Sequence, residues 1–170
     1  IFTRGITDLS NTAIFVGGSD VSAGERVFAA VQEAFFGPMR VSVMMDSNGS
    51  NTTAAAAVLR ARRHVTLAGS VAVVLGGTGP VGQRAAELLA LEGACVRLGS
   101  RSVERAAATC ESIARRVEGA ELEPIATGDP DSVAAALSGA VTVIAAGATG
   151  VQLISAVTLA AADLQVAIDL

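Results

Sequence analysis

The sequence contains no lysine, no tyrosine and no tryptophan, and its single histidine is His64. A catalytic tyrosine–lysine pair and a lysine that forms a Schiff base are therefore excluded within these 170 residues. His64 follows an arginine-rich predicted helix end, where cations complement the helix dipole, so we interpret it as structural rather than as a general base. The sequence thus leaves the catalytic residues unassigned.

Cysteine is also scarce, with Cys95 on a predicted strand and Cys110 on a predicted helix. Their spacing matches no metal site, and we interpret both as small buried residues of a protein in the reducing cytoplasm. The chain also has no excess of positive charge, since its net charge is −4 and its isoelectric point is about 4.9. We therefore expect no nucleic-acid partner, because phosphate backbones select basic surfaces.

One long stretch, residues 132–162, carries no formal charge and raises the question of a membrane segment. Glycine and polar residues divide it into short pieces, whereas a spanning helix needs about 20 mostly apolar residues in succession. No signal peptide is visible at the start of the sequence either. We therefore expect no membrane partner.

Apolar residues are abundant, at 51% of the chain, as expected when parallel strands are covered by helices on both faces. Strand-like and helix-like segments alternate, which predicts an α/β fold. For residues 66–170 the pattern predicts a doubly wound, Rossmann-like parallel sheet with strands at 71–75, 95–98, 122–125, 141–145 and 166–169. For residues 1–65 it predicts a smaller α/β portion with strands at 12–16 and 40–45 and helices at 21–36 and 52–63, the first helix starting with a capping box of Ser22 and Glu25.

The glycines after the strand at 71–75 have the G-x-G-x-x-G spacing and precede a helix-like segment. In a dinucleotide-binding turn the first glycine makes the tight turn, the second lets the backbone approach a pyrophosphate, and the third lets the helix pack closely on the strand. Proline suits the first helical turn, whose free amides face the anion. We therefore predict cofactor binding at Gly77, Thr78, Gly79, Pro80, Val81 and Gly82, the alternative being an ordinary strand–turn–helix corner.

The next predicted strand leads to Ser100 and Arg101, where an NAD-binding site of this type has an acid for the ribose 2′-hydroxyl. A hydroxyl and a guanidinium can instead hold a 2′-phosphate, and all twelve cationic side chains of the chain are arginines, which bind phosphate in a bidentate way. This pair favours NADP as the cofactor, with NAD still possible; alternatively, Arg101 is a solvated residue near a helix start. Gly147, which follows the strand at 141–145, completes the predicted cofactor residues.

Residues 46–53 are the densest polar stretch of the chain and follow a predicted strand, at the sheet edge where open α/β sheets bind ligands. Their hydroxyls and amides can fix a polar heterocycle, which predicts substrate-binding residues at Asp46, Ser47, Asn48, Ser50, Asn51 and Thr52. The alternative is a turn at Asn48 and Gly49 with Ser50 as the helix N-cap. A second glycine-rich turn, residues 17–20, either borders the same cleft or is a plain loop. No metal site is predicted.

Four stretches also carry a resemblance to a known family: FVGGSD at 15–20, FFGPMRVS at 35–42, DSNGSNTTAAA at 46–56 and LGGTGPVG at 75–82. Together they resemble the NAD(P)-dependent methylene-tetrahydromethanopterin dehydrogenases of methylotrophic bacteria. The likeness covers nearly the whole chain, and the stretch at 46–56 is its most specific part.

The resemblance implies a pterin-binding domain in residues 1–65 and an NADP-binding Rossmann domain in residues 66–170, with the active site between them. It implies an oxidoreductase that transfers a hydride from methylene-tetrahydromethanopterin to NADP, or to NAD, in the oxidation of formaldehyde. A reduced pterin is then the substrate, and the enzyme is expected to be a cytoplasmic homo-oligomer. We also expect the chain to be an internal fragment, since it begins at Ile1 and lacks the family's C-terminal portion.

The residues leave three other functions open. The carrier can be tetrahydrofolate, or the protein can be another two-domain NADP dehydrogenase such as the shikimate type. It can also be a nucleotide-sensing module in which no substrate reacts. Hydride transfer from a pterin to NADP separates the enzymes from the sensor, and a comparison of the two pterin carriers separates the enzymes from one another.

Overall fold

The computed structural model describes residues 5–170, with only the backbone described at Ile6. These residues form two compact units that divide after Thr52. No helix within residues 5–170 combines the length and the apolar character needed to cross a membrane.

The first unit is built on a β-α-β element. It contains α1 (Ile6–Leu9), β1 (Ala13–Val16), α2 (Val21–Glu33), β2 (Ser42–Met45) and a 3₁₀ turn (Ser47–Gly49). Both predicted strands are present and pair in parallel, whereas the sequence pattern missed the short α1. The predicted capping box is wrong: the N-cap of α2 is Asp20, whose Oδ1 accepts a hydrogen bond of 2.9 Å from the N–H of Ala23.

The second unit is a five-stranded parallel sheet with helices on both faces. Its strands are β3 (Val71–Leu75), β4 (Cys95–Ser100), β5 (Leu122–Ala126), β6 (Thr142–Ala145) and β7 (Val166–Asp169). Its helices are α3 (Ser50–Ala61), which crosses the division after Thr52, α4 (Pro80–Leu91), α5 (Val103–Ala114), α6 (Pro130–Leu137) and α7 (Ala156–Ala161). The sheet order β5-β4-β3-β6-β7 is the doubly wound order, so the predicted fold class is confirmed.

The core of the second unit has one layer on each face of β3. Val74 packs in the layer that includes Leu89 of α4 and Ile113 of α5, while Val73 packs in the layer that includes Leu137 of α6. Successive side chains of a strand point to opposite faces, so an unbroken apolar run is what a doubly covered central strand requires. The strand order reverses between β3 and β6, and ligands of such sheets bind outside the carboxyl ends of the strands at that point.

Helix α3 explains why the compact units divide earlier than the predicted boundary at residues 65 and 66. Its apolar residues Ala54, Ala57 and Val58 belong to the core layer of the second unit that also contains Leu89. The division into a substrate-binding and a cofactor-binding part is a functional one and stays a prediction.

The two cysteines differ in burial. Cys110 is buried in the core, as predicted, but Cys95 is only partly buried. The prediction is wrong for Cys95 because it starts β4 beside the edge strand β5, where its Sγ donates to Glu121 Oε2 at 2.7 Å. This hydrogen bond raises the pKa of the thiol.

Candidate functional site

The turn between β3 and α4 leaves no room for side chains at three of its glycines. A Cβ on Gly76, whose φ is +70°, would lie 2.7 Å from the carbonyl oxygen of Ala146, and one on Gly77 would lie 2.6 Å from Leu98 Cγ. A Cβ on Gly82 would collide with the carbonyl oxygen of Gly76. The packing of the chain itself therefore requires these three glycines.

Gly79 is different from the other three. A Cβ there would meet the carbonyl oxygens of Gly76 and Ala146 at 3.4 and 3.8 Å, which are ordinary contacts, and its φ of −77° is open to any residue. Internal packing thus gives no reason for glycine at this position. A ligand that approaches the backbone closely does give one, and this is the position that the sequence motif assigns to the pyrophosphate.

The start of α4 offers backbone N–H groups to an anion. Gly79 is the N-cap and has no side chain to cap the helix, and Pro80 occupies the first helical position. Helix geometry leaves the N–H groups of Val81 and Gly82 without intrahelical acceptors, at the positive end of the helix dipole. A 12-residue helix with this start can hold a phosphate group.

Two hydrogen bonds fix the glycine turn. Gln83 Nε2 donates to the carbonyl oxygen of Thr78 at 2.8 Å, and the N–H of Gly77 donates to the carbonyl oxygen of Gly99 at 2.9 Å. Sequence reasoning missed Gln83, although a long amide side chain in the first turn of a helix can reach back to the preceding loop. The second bond joins the turn to β4, which carries the next predicted cofactor residues.

Ser100 and Arg101 follow each other at the end of β4, but they have different surroundings. Ser100 is buried, and its Oγ accepts a hydrogen bond of 3.3 Å from the N–H of Ser102, the N-cap of α5. Arg101 is exposed and forms no ion pair with any residue of the part that the structure describes. Its guanidinium is therefore available to an anionic ligand.

Arg101 lies on the rim of a cavity of about 300 Å³. The loops that follow β4, β5 and β6, together with residues of α6 and α7, line this open cavity. The lining combines apolar side chains with hydroxyl, amide and charged groups: Arg101, Thr127, Gly128, Asp129, Pro130, Val133, Val151, Gln152, Leu153, Ile154, Ser155 and Thr158. Apolar walls with a few polar groups suit a flat heterocycle. Apart from Arg101, sequence reasoning missed these residues as cavity residues, because they come from several segments that are separate in the sequence.

Gly147 connects the cavity to the glycine turn. A Cβ on it would lie 2.9 Å from Leu153 Cδ1, a side chain of the cavity wall, and its own N atom lies 3.2 Å from the position of a Cβ on Gly76. The structure therefore brings together the predicted cofactor residues of the glycine turn, the end of β4 and the end of β6.

The predicted substrate-binding residues lie in the first unit and in the first turn of α3. Asp46 is the helix cap: its Oδ1 accepts from the N–H groups of Asn51 and Thr52 at 3.0 and 3.1 Å, and its Oδ2 accepts from Thr52 Oγ1 at 2.6 Å. The hydrogen bond from the Thr52 hydroxyl is the main cause that lowers the pKa of Asp46 below its ordinary value, and the two backbone N–H donors add to this effect. A carboxylate therefore caps α3, whereas Ser50, the N-cap in the alternative interpretation, does not.

Three more of these side chains make hydrogen bonds within the protein. Ser47 and Ser50 are fully buried, with Ser47 Oγ donating to the carbonyl oxygen of Gly17 at 3.4 Å and Ser50 Oγ donating to that of Ser47 at 2.9 Å. Asn51 Nδ2 donates to the carbonyl oxygen of Met45 at 2.7 Å. Their contacts hold the loop in one shape.

Asn48 is the exception in this loop. Its side chain is exposed and makes no hydrogen bond with the residues that the structure describes, and its backbone is left-handed, with φ 58° and ψ 20°. Its N–H donates to the carbonyl oxygen of Gly18 at 2.6 Å, so the second glycine-rich turn fixes its position. The carboxamide of Asn48 is therefore free to bind a ligand.

His64 is exposed in the turn after α3, where its N–H donates to the carbonyl oxygen of Ala61 at 2.9 Å. Across residues 5–170, no group of three or more histidine, cysteine, aspartate or glutamate side chains is arranged to hold a metal ion.

Comparison with known proteins shows which proteins the sequence and the fold of this chain are similar to. Residues 1–48 match the family model described as methylene-tetrahydromethanopterin dehydrogenase, N-terminal. The bifunctional protein MdtA of Methylorubrum extorquens is 51% identical over 156 residues, which cover 91% of this chain and 54% of that protein. The NAD(P)-dependent methylenetetrahydromethanopterin dehydrogenase of the same organism is 33% identical over 169 residues, which cover 95% of this chain and 57% of that enzyme.

The chain thus spans about half the length of the curated relatives that it matches. Among solved structures, the A chain of dipicolinate synthase from Bacillus subtilis matches with a TM-score of 0.54 and 21% identity, covering 94% of this chain and 50% of that one. A likeness at this identity supports the fold alone.

Proposed function

The chain belongs to the methylene-tetrahydromethanopterin dehydrogenase family, and from that premise we propose that the protein oxidises methylene-tetrahydromethanopterin to methenyl-tetrahydromethanopterin, with NADP or NAD as the hydride acceptor. The observation that carries the proposal is the glycine turn at the point where the strand order reverses, with an arginine at the end of the neighbouring strand. The relative that is 33% identical is named as a methylenetetrahydromethanopterin dehydrogenase, which supports the proposed substrate.

In the proposed cofactor site, the glycine turn, the cavity and the end of β4 each bind a different part of the dinucleotide. The pyrophosphate binds at Gly79, where packing leaves space and no side chain caps the helix, and at the N–H groups of Val81 and Gly82. The adenine ring occupies the apolar cavity beside Arg101. Arg101, with the buried Ser100 beside it, binds the 2′-phosphate, so we propose a preference for NADP over NAD.

The proposed pterin site is the loop at residues 46–52. Its carboxylate, hydroxyls and one amide are engaged within the protein, so their task in the proposal is to position the loop. Asn48 offers both a donor and an acceptor, and a pterin ring presents both kinds of groups along its edge. We keep residues 1–65 as the substrate-binding part and residues 66–170 as the cofactor-binding part of the proposal.

The reaction needs positioning more than proton transfer. The reacting carbon of the proposed substrate lies between two nitrogens, so the loss of a hydride leaves a cation that both nitrogens stabilise, and no proton moves in that step. The bound dinucleotide supplies the hydride acceptor. The task of the protein is to hold the two reacting carbons about 3–3.5 Å apart and to exclude water. This agrees with a chain that has neither lysine nor tyrosine.

We further propose that the enzyme acts in formaldehyde oxidation in the cytoplasm as a homo-oligomer. The two cysteines, which are free thiols, agree with a reducing compartment.

The decisive experiment follows the formation of reduced nicotinamide by the full chain. Methylene-tetrahydromethanopterin and methylene-tetrahydrofolate are each offered with NADP and with NAD. We expect turnover with the methanopterin carrier and a larger kcat/KM with NADP. Preferential turnover of the folate carrier would assign the protein to the folate-dependent alternative. Tight NADP binding without turnover of either carrier would contradict the proposed function and leave a nucleotide sensor or a dehydrogenase with another kind of substrate.

A further inference from the structure

An acidic side chain lies beside the proposed 2′-phosphate site. Glu104 is in the first turn of α5, three residues after Arg101, and its Oε2 accepts a hydrogen bond of 2.7 Å from Ser102 Oγ. The N–H of Ser102 in turn donates to Ser100 Oγ at 3.3 Å. A short chain of hydrogen bonds therefore leads from Ser100, a proposed cofactor residue, to the carboxylate of Glu104.

The hydroxyl of Ser102 has no proton left for a phosphate. A serine hydroxyl donates one hydrogen bond, and this one goes to Glu104, while the oxygen accepts from the N–H of Arg105 at 3.3 Å as the helix cap. The bond from Ser102, together with the backbone N–H of Glu104 itself, lowers the pKa of the carboxyl group below its ordinary value of 4.5. Glu104 is thus a fixed negative charge at the positive end of α5.

We propose that Glu104 is a specificity-determining residue that limits the preference for NADP over NAD. Its carboxylate repels the 2′-phosphate and occupies the Ser102 hydroxyl, whereas Arg101 attracts the same phosphate. The inference rests on the proposed cofactor site. It explains how an arginine at this position is compatible with the use of NAD, because the two opposite charges act mainly on the group that NAD lacks.

The expected size of the effect follows from exposure. Glu104 is exposed at the surface, where water and salt weaken charge interactions. Removal of its charge should therefore tighten NADP binding about threefold to tenfold at low ionic strength. At about 1 M salt the Debye length falls to about 3 Å, so most of this gain should disappear. The affinity for NAD should change little under either condition.

The experiment compares Glu104→Gln with the wild type by titrating the full chain with NADP and with NAD, in the absence of any pterin. Glu111→Gln is the matched control, because Glu111 is exposed on the same helix and about two turns, or roughly 10 Å, further along the same face. The control removes the same charge roughly 10 Å further from the proposed phosphate position, where its Coulomb repulsion is weaker. We expect a clearly larger decrease of the Kd for NADP in Glu104→Gln than in Glu111→Gln at low ionic strength, and a smaller difference between them in high salt.

Three outcomes would overturn the inference: an unchanged Kd for NADP, an equal change for both cofactors, and an equal effect of Glu111→Gln. Weaker binding of NAD alone would make Glu104 a ribose acceptor instead and would also contradict repulsion. A melting scan of each variant identifies any general loss of folding. If the wild type binds neither nucleotide, the proposed function itself fails, so the two failures can be distinguished.

Discussion

At the scale of single residues, Asn48 combines an exposed carboxamide with a left-handed backbone. Asparagine tolerates this conformation better than most residues, and glycine adopts it freely. We therefore predict that Asn48→Gly leaves the melting temperature unchanged or slightly higher. If the carboxamide binds the pterin, the same variant should raise the pterin KM about threefold to tenfold, the value of one neutral hydrogen bond.

Steady-state kinetics with a fixed, saturating concentration of NADP measures this effect, and the Kd for NADP is the internal control. An unchanged pterin KM in Asn48→Gly would mean that the loop serves as a turn and a helix cap only.

The second prediction at the scale of residues concerns the contribution of Arg101 to the affinity for NADP. Arg101→Ala should raise the Kd for NADP on the order of tenfold to a hundredfold, since a hydrogen bond to a charged group contributes about 1.5–3 kcal/mol. The Kd for NAD should hardly change, because NAD has no 2′-phosphate. Equilibrium titration with each nucleotide measures both Kd values. An equal rise of the Kd for NADP and for NAD would show that Arg101 does not bind the 2′-phosphate.

Thr142 is a polar residue whose conservative replacement should stabilise the protein. It is fully buried in β6, and its Oγ1 is the one buried side-chain oxygen or nitrogen without a hydrogen-bond partner in the part of the chain that the structure describes. Thr142→Val keeps the shape and removes the unpaired hydroxyl, which should raise the free energy of unfolding by about 1 kcal/mol. Denaturant titration measures this, with Thr142→Ser as the control that keeps the hydroxyl and loses a methyl group. A destabilised valine variant would imply that Oγ1 has a partner, such as water.

At the scale of elements, the sequence predicts strands and helix starts well where one signal dominates. The apolar run of β3 has no competing signal, and the predicted strand is observed. The start of α6 likewise carries one clear signal, since Asp129 caps the helix and Pro130 occupies its first position. The capping box predicted for α2 is wrong, and Ser50, the N-cap of α3 in the alternative interpretation, is not its cap, because in both places two candidates lie within a few residues of each other. Before α3, the 3₁₀ turn at Ser47–Gly49 directs the carboxylate of Asp46 toward the first N–H groups of the helix. The sequence does not reveal this 3₁₀ turn.

An ionic cluster of Glu87 and Arg84 in α4 with Arg116, just after α5, links stability to pH. Glu87 Oε2 lies 3.0 Å from Arg84 Nη1 and 3.0 Å from Arg116 Nη2. Burial raises the pKa of Glu87, but the hydrogen bonds and charges of Arg116 and Arg84 outweigh it, so the pKa lies below the ordinary value of 4.5. Because the folded-state pKa is lowered, the stabilisation is present above about pH 4.5 and is lost as the pH falls below it.

We predict that Glu87→Gln lowers the free energy of unfolding by about 1 kcal/mol at pH 7 and that the difference from the wild type shrinks as the pH falls below 4.5. Urea titrations at several pH values measure both effects. Glu118→Gln is the control, since Glu118 is an exposed acid just after α5 and outside the cluster. A difference that stays constant down to pH 3 would show that the charge of Glu87 does not contribute, and that packing alone accounts for the loss.

At the scale of the whole molecule, the fold and the glycine turn were predictable, whereas the rest of the candidate site was only partly so. Alternation of strands and helices, with the right-handed crossover rule, leads to a doubly wound sheet. The cavity is different, because Arg101, Thr127 and Leu153 come together only through the order of β4, β5 and β6 in the sheet. The sequence also cannot distinguish the buried Ser47 from the exposed Asn48, because that depends on tertiary packing.

The last prediction concerns the reaction as a whole and follows from its chemistry and from the composition of the chain. If the hydride leaves a carbon held between two nitrogens, the chemical step needs no general base, which agrees with the absence of lysine and tyrosine and with the exposed position of His64. The single-turnover rate of hydride transfer should then be nearly flat between about pH 6 and 9, the span in which a tuned general base titrates. His64→Ala should keep most of kcat. A steep dependence on one ionising group in that isolated step, or a loss of about a thousandfold in His64→Ala with cofactor and pterin binding intact, would show instead that a protein group accepts a proton during the reaction.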